Sequence, residues 1–183
     1  MMESIYVLVL YFGLCSLLGR IIEVIFGIIS KDKFASSGFL RSPFIGIYGL
    51  VGILIYFFST YFANLFLPVK LIILFIIPLI IEYFSSFILE KIFNIRGWDY
   101  SGFKFNIHGR ISLIFGLYWS ILVLIGVFVI QPNALKLLNN LSFNLIQIFT
   151  ILFVIFFFIH IYFSIRRYYL IWKKAKGKLV KLR

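Results

Sequence analysis

Residues 71–90 read LIILFIIPLIIEYFSSFILE. The opening run, Leu71–Ile81, is apolar throughout and does not alternate with polar residues, and the first acid arrives only at Glu82. Twenty residues at about 1.5 Å each span the ~30 Å hydrocarbon layer of a bilayer as a helix. A transmembrane β-strand would be shorter and would alternate; Ile148–Phe158 likewise fails to alternate. The whole chain has this character. Of its 183 residues 63% are hydrophobic and 13% charged, and mean hydropathy is +1.09, a balance that no soluble domain of this length can bury. The expected class is all-α: a polytopic transmembrane helical bundle.

Five membrane segments follow from the hydropathy pattern, at about 4–29, 44–66, 71–90, 109–131 and 143–165. They form a single transmembrane domain over 1–165, followed by a basic tail over 166–183. The connection between the second and third segments is very short, which predicts an antiparallel hairpin. Glu3 and the lack of any base before Arg20 deny the N-terminus the charged region of a signal peptide, so the first segment is expected to stay. The single cysteine, Cys15, excludes an intramolecular disulfide and a multi-cysteine metal site, and reads as a small packing residue.

The basic residues set an expected orientation. With the N-terminus outside, Lys31, Lys33, Arg41, Lys91, Arg96, Lys104, Arg110 and the eight bases of the tail share the cytoplasm. The outer loops keep only Lys70 and Lys136, while Arg20 lies within the membrane, a strong positive-inside signal. The tail suits anionic inner-leaflet lipid beside the bilayer better than a nucleic acid, which is not an expected partner. Small residues mark close helix approaches: Gly46, Gly49 and Gly52 on the second segment, and Ser112, Gly116 and Ser120 on the fourth, a strip offered as a homo-oligomer interface. Pro78 predicts a kink; the fifth segment looks lipid-facing.

Against this background two acids stand out. Glu23 and Glu82 fall inside membrane segments, ~9 Å and ~12 Å from the expected cytoplasmic ends at 1.5 Å per residue, and an ionisable group at such depth marks a functional site. Arg20, three residues before Glu23, shares its helix face and can pair with it. Glu82, Ser85, Ser86 and Glu90 form a second polar stripe. The flanking loops and the segment starts they lead into add Arg41, Tyr48, Trp98, Asp99, Tyr100, Asn106, His108 and Arg110 on the same side of the membrane. The expected substrate-binding set is Arg20, Glu23, Arg41, Tyr48, Glu82, Trp98, Asp99, Tyr100, Asn106 and Arg110. A plainer reading makes these an ion-pair network that only locks the helices; Asp99 alone reads equally as a turn residue, and His108 as an interfacial polar group. No nucleotide-binding glycine-lysine loop, HExxH helix or GxSxG elbow occurs, and no cofactor or metal is expected.

The run Glu82-Tyr83, Leu89-Glu90-Lys91-Ile92-Phe93, Trp98-Asp99-Tyr100-Ser101, Asn106, Gly109-Arg110-Ile111 and Trp119 resembles the small membrane proteins of the CmpB-like family described as Putative ABC-transporter type IV. Gly19, Glu23, Gly38-Phe39-Leu40, Pro43 and Ile47-Tyr48-Gly49 look like that family's first half, and the likeness covers about residues 12 to 120. The chain departs from the family pattern in having Ser36-Ser37 where Asn-Arg is expected, Arg20 in place of a Trp, and Ser42 and Gly46 in place of Gly and Pro. The resemblance implies a transporter membrane subunit and strengthens Glu23, Glu82, Asp99, Asn106 and Arg110 as site residues.

Three functions are therefore open. One is a permease-like subunit in a bacterial cytoplasmic membrane that depends on a separate ATPase subunit and needs a dimer or a second permease subunit to enclose a path. Another is an inner-leaflet lipid-binding or lipid-modifying enzyme, with Arg20, Arg41 or Arg110 clamping a phosphate and Glu23 or Glu82 as general acid or base. The third is a structural or regulatory membrane protein. The permease reading leads.

Overall fold

The structure, a computed structural model, describes residues 5–29, 43–62, 64–175 and 180–181. Helix α1 (Ile5–Ile29) is followed by α2 (Gly46–Tyr61) and α3 (Leu67–Phe93). A loop carrying three two-residue strands, β1 (Ile95–Arg96), β2 (Asn106–Ile107) and β3 (Ile111–Ser112), leads into α4 (Leu113–Ile125). A π-helical turn at Gly126–Ile130 joins α4 to α5 (Gln131–Asn139), and α6 (Phe143–Lys174) completes an all-α bundle. A last short strand, β4 (Val180–Lys181), runs parallel to β1, with Ile95 opposite Val180.

Among the described residues four helical stretches are long and apolar enough to cross a membrane: Ile5–Ile29, Leu67–Phe93, Leu113–Asn139 and Phe143–Lys174. The second expected segment is different. Its helix has 16 residues, about 24 Å at 1.5 Å per residue, which falls short of the ~30 Å core. The fourth runs further than expected because α4, the π turn and α5 continue one another without a break. Helix α6 likewise passes position 165, so Arg166, Arg167, Lys173 and Lys174 ride on its last turns.

Packing of α1 on α2 sets where the short helix sits. A Cβ on Gly19 would run into Cβ and Cγ of Tyr48, one on Gly49 into Oγ of Ser16 and the Phe12 ring, and one on Gly52 would come within 2.6 Å of Cys15 Sγ. Small residues on both helices let the backbones approach, and the contacts descend in antiparallel register, with Tyr56 against Tyr11. Gly46, by contrast, faces open space and takes no part in the expected strip. The Ile45 N–H donates to the Ser16 carbonyl at 3.0 Å, so α2 begins halfway along α1 and the last ten residues of α1 run on without it.

The core has two parts. Val51, Ile55 and Phe58 of α2 meet Leu74 of α3 and Trp119 and Val123 of α4. Nearer the other end, Val7 and Tyr11 of α1, Tyr56, Ala134, Leu138 and Ile146 form a second cluster. Gly116 packs toward Leu79 and Phe75 of α3. The Ser112, Gly116 and Ser120 strip is therefore used at least in part inside the chain, between α4 and α3, rather than reserved for a second copy. Pro78 is buried within α3, which continues as a helix on both sides of it. Thr150 of α6 donates to the Tyr6 carbonyl of α1 at 3.2 Å. The outer face of α6 leaves Ile148, Phe149, Ile151, Leu152, Ile155, Phe158 and Ile159 exposed, an apolar face that suits hydrocarbon and not water.

Gly19→Ala should cost about 1–3 kcal/mol through overpacking against atoms next to the Tyr48 backbone, whereas Gly46→Ala should be close to neutral. Thermal unfolding of the two variants in detergent checks the contrast.

Candidate functional site

Helix α3 ends at Asn94, which adopts left-handed φ of 51° and donates its N–H to the Glu90 carbonyl at 3.0 Å, a common helix stop. The loop that follows is folded by its own polar residues. Asp99 Oδ1 accepts the Ser101 N–H at 3.1 Å and faces the Arg96 guanidinium at 3.5 Å. Asn106 donates to the Phe103 carbonyl at 2.8 Å and accepts the Gly109 N–H at 3.0 Å. Gly109 has φ of +66°, and a Cβ there would stand 2.8 Å from Asp99 Oδ1, so this turn requires glycine. Strands β2 and β3 then pair antiparallel across the tip.

At the root of the loop, Glu90 Oε2 is shared by Arg96 and Arg110, each at 3.1 Å. The Arg110 guanidinium also lies 5.4 Å from the Tyr83 ring centre and 5.5 Å from that of Phe87. This cluster ties α3 to both ends of the loop. His108 contacts the Tyr83 hydroxyl through Nδ1 at 3.0 Å.

The loop so held delivers two aromatic side chains to the bundle. Trp98 donates its indole N–H to the Arg110 carbonyl at 2.8 Å. Tyr100 stacks on Phe115 of α4, with ring centres 4.2 Å apart and planes at 15°, and donates its hydroxyl to Glu82 Oε1 at 2.9 Å. Burial, and then the Glu82 carboxylate, push the Tyr100 phenol well above its ordinary range, so Tyr100 remains a donor. Glu82 itself is only 4% exposed. The Trp119 side chain also stands within hydrogen-bonding reach of its carboxylate, while Oε2 makes no hydrogen bond of good geometry among the described residues.

These residues line a cavity of about 120 Å³. Glu23 and Phe26 come from the part of α1 that α2 leaves uncovered, Tyr48 from the start of α2, and Glu82 from α3; Trp98 and Tyr100 come from the loop, and Phe115, Tyr118 and Trp119 from α4. Glu23 is near enough to Glu82, Tyr48 and Tyr100 to act on each electrostatically. A second cavity of about 70 Å³ shares Ile22, Tyr48, Trp119 and Leu122 with the first and continues along the bundle to Gly126 and Ile130. The Tyr48 and Trp119 rings, 4.7 Å apart, stand where the two meet.

The expected site residues thus separate. Glu23, Tyr48, Glu82, Trp98 and Tyr100 line one cavity, whereas Asp99, Asn106 and Arg110 fold and anchor the loop. Arg20 is half-buried on α1 and does not line the cavity; Arg41 lies outside the described residues. The sequence reading passed over Phe26, Phe115 and Tyr118, and noted Trp119 only within the family resemblance. Phe115, Trp119 and Leu122 do share helical spacing, but with 24 Phe and 11 Tyr in the chain such a stripe carries little signal. Among the described residues no group of three His, Cys, Asp or Glu is placed to hold a metal.

The protein family described as Putative ABC-transporter type IV matches residues 10–165. The chain belongs to that family. This ABC-transporter type IV protein is accordingly an integral membrane protein of transporter type, and the matched range contains every cavity-lining residue. Comparisons with curated proteins and with solved structures gave no match.

Tyr100→Phe should destabilise the protein by about 1–3 kcal/mol, because Glu82 then loses its one hydrogen bond from the loop while still buried. The same change in a Glu82→Leu background should cost much less, and a double-mutant thermal unfolding cycle measures the difference. Gly109→Ala should loosen the loop by about 1–3 kcal/mol through a strained positive φ, seen as faster tryptic cleavage after the exposed Lys104.

Proposed function

We propose that this chain is the permease-like membrane subunit of an ABC-type transporter, with the aromatic and acidic cavity as its substrate site and a separate ATPase subunit supplying the energy. The single observation that carries the reading is Glu82: a buried carboxylate at the wall of a cavity inside a largely apolar bundle. A group this costly to bury in a membrane protein marks a substrate or ion path. The second cavity, stacked beyond the Tyr48 and Trp119 rings, extends the first along the bundle and gives a cargo somewhere to go.

Orientation in this proposal follows the basic residues, with the loop between α3 and α4 and the end of α6 on the cytoplasmic side of a bacterial cytoplasmic membrane. The same loop is the natural place for an ATPase to dock, since it is held to α3 by the Glu90, Arg96 and Arg110 cluster and touches the site through Tyr100. The bases on the last turns of α6 and in the tail would rest against anionic inner-leaflet lipid. So few helices enclose little space, and a second copy would complete the path. A phosphate-clamping lipid site has less support at Arg110, which is engaged by Glu90 and two aromatic rings.

Mild-detergent purification of the tagged protein from native membranes, followed by mass spectrometry, tests the proposal. A stoichiometric partner with nucleotide-binding motifs is expected, and Glu82→Gln should keep that complex assembled while abolishing substrate-stimulated ATP hydrolysis. A lone protein enriched in one anionic lipid would overturn the reading in favour of a lipid site.

A further inference from the structure

The end of α6 concentrates positive charge. Arg166, Arg167, Lys173 and Lys174 sit on a helix without a single acid, and among the described residues none of the four is paired with a carboxylate. Outside the described residues the chain has two acids, Glu3 and Asp32, against Lys31, Lys33, Arg41, Lys176, Lys178 and Arg183, so those segments add positive charge on balance. Phe163, Arg167, Leu170 and Lys174 recur at spacings of four, three and four, which puts them on one face. With Arg166 and Ile171 beside them they line an open groove of about 370 Å³. Apolar residues and bases alternate along that face, a lining suited to a ligand that is itself part apolar and part anionic.

Depth places the groove. Helix α6 has 32 residues, ~48 Å at 1.5 Å per residue, whereas the hydrocarbon core is ~30 Å thick. Counted from Phe143, where its apolar run begins, about 20 residues cross that core. Phe163 then stands at its edge, with Arg166 and Arg167 among the head groups. Exposed Tyr162, Tyr169 and Trp172 flank the same level, as aromatic residues do at an interface. Helical side chains lean toward the N-terminus, which carries the Lys174 ammonium back toward the two arginines. Arg167 lies 5.8 Å from the centre of the Tyr168 ring, which steadies the guanidinium without occupying its N–H donors. Deepening the reading of these bases as resting on anionic lipid, and depending on it, we propose that the groove is a discrete site for one anionic phospholipid. Its phosphate sits between the Arg166 and Arg167 forks, its head group under Lys174, and its acyl chain along Phe163. A zwitterionic lipid would bring a further cation into a basic groove. The site shares no residue with the cavity that Glu82 lines.

Native mass spectrometry of the purified full chain in mild detergent counts the lipid retained. With equimolar dioleoylphosphatidylglycerol and dioleoylphosphatidylcholine added, a single phosphatidylglycerol should stay on each chain, in about tenfold preference or more. Each base lost near a lipid surface weakens binding about fivefold, so Arg166→Gln with Arg167→Gln should weaken retention about twenty-five-fold. Lys104→Gln with Lys136→Gln removes the same charge at other exposed positions, and should change it by less than about twofold. Phe163→Ser should weaken retention several-fold at unchanged charge, and equimolar glycerol 3-phosphate should not displace the lipid.

Equal retention of the two lipids overturns the proposal and the lipid reading of the α6 bases together. An equal loss in the Lys104 and Lys136 variant overturns the discrete site alone and leaves a diffuse field. Displacement by glycerol 3-phosphate makes this a soluble-phosphate site and overturns the lipid one. Retention unchanged by the folded arginine variant or by Phe163→Ser overturns the proposal as well. So does an arginine variant that keeps its lipid but loses a co-purifying protein, which would assign the bases to that partner. If the arginine variant does not fold, Phe163→Ser and the lipid preference of the unaltered chain decide. The cavity has no part in these outcomes, so the transporter reading stands or falls separately.

Discussion

A carboxylate held among apolar helices must find hydrogen-bond donors or give up its charge, and this fold is arranged around Glu82 meeting that demand. Its donor comes from outside its own helix. Tyr100 lies 18 residues further along and reaches back from the loop to Oε1. For that contact to form, α3 must stop at Asn94, the loop must turn at Gly109, and the Tyr100 ring must find Phe115 to stack on. The polar residues of the loop are there to hold this geometry. Asp99 and Asn106 satisfy backbone N–H groups that no regular ladder would satisfy, as a buried or half-buried loop requires.

Two polar centres result, with different work. Glu90 is paired twice over with Arg96 and Arg110, and removing either arginine would leave the other to hold it. That arrangement is a fastening. Glu82 has one oxygen that makes no hydrogen bond among the described residues, at the edge of an aromatic cavity. The doubly paired acid fastens the loop to α3, and the other, two turns away on the same helix, stands at the cavity wall.

The cavity exists because α2 is short. Glycines at 19, 49 and 52 draw α2 against α1 so closely that its start is pinned at the level of Ser16. Below that point no residue of α2 fills the space between α1, α3 and α4. Aromatic side chains from the loop and from α4 line it without closing it. A full-length second helix would have packed the gap.

Much of this was legible in the residues themselves. Hydropathy determined an all-helical membrane protein, because apolar runs such as 71–81 have no other stable form in a bilayer. Glu23 and Glu82 declared themselves by depth, since position along a helix converts directly into distance. Gly19, Gly49 and Gly52 marked a close approach, and the Trp98-Asp99-Tyr100-Ser101 element marked the family. The sequence could not say that Tyr100 faces the cavity while its neighbour Asp99 faces the loop, that Gly116 is turned inward, or that Trp119 lines the site. Those are questions of which side chain points where after distant segments meet. Adjacent loop residues point in unrelated directions, and among so many aromatic residues composition does not distinguish a wall from a lipid-facing surface. Only the tertiary packing, through the starting level of α2 and the path of one loop, decided which polar residues share a cavity.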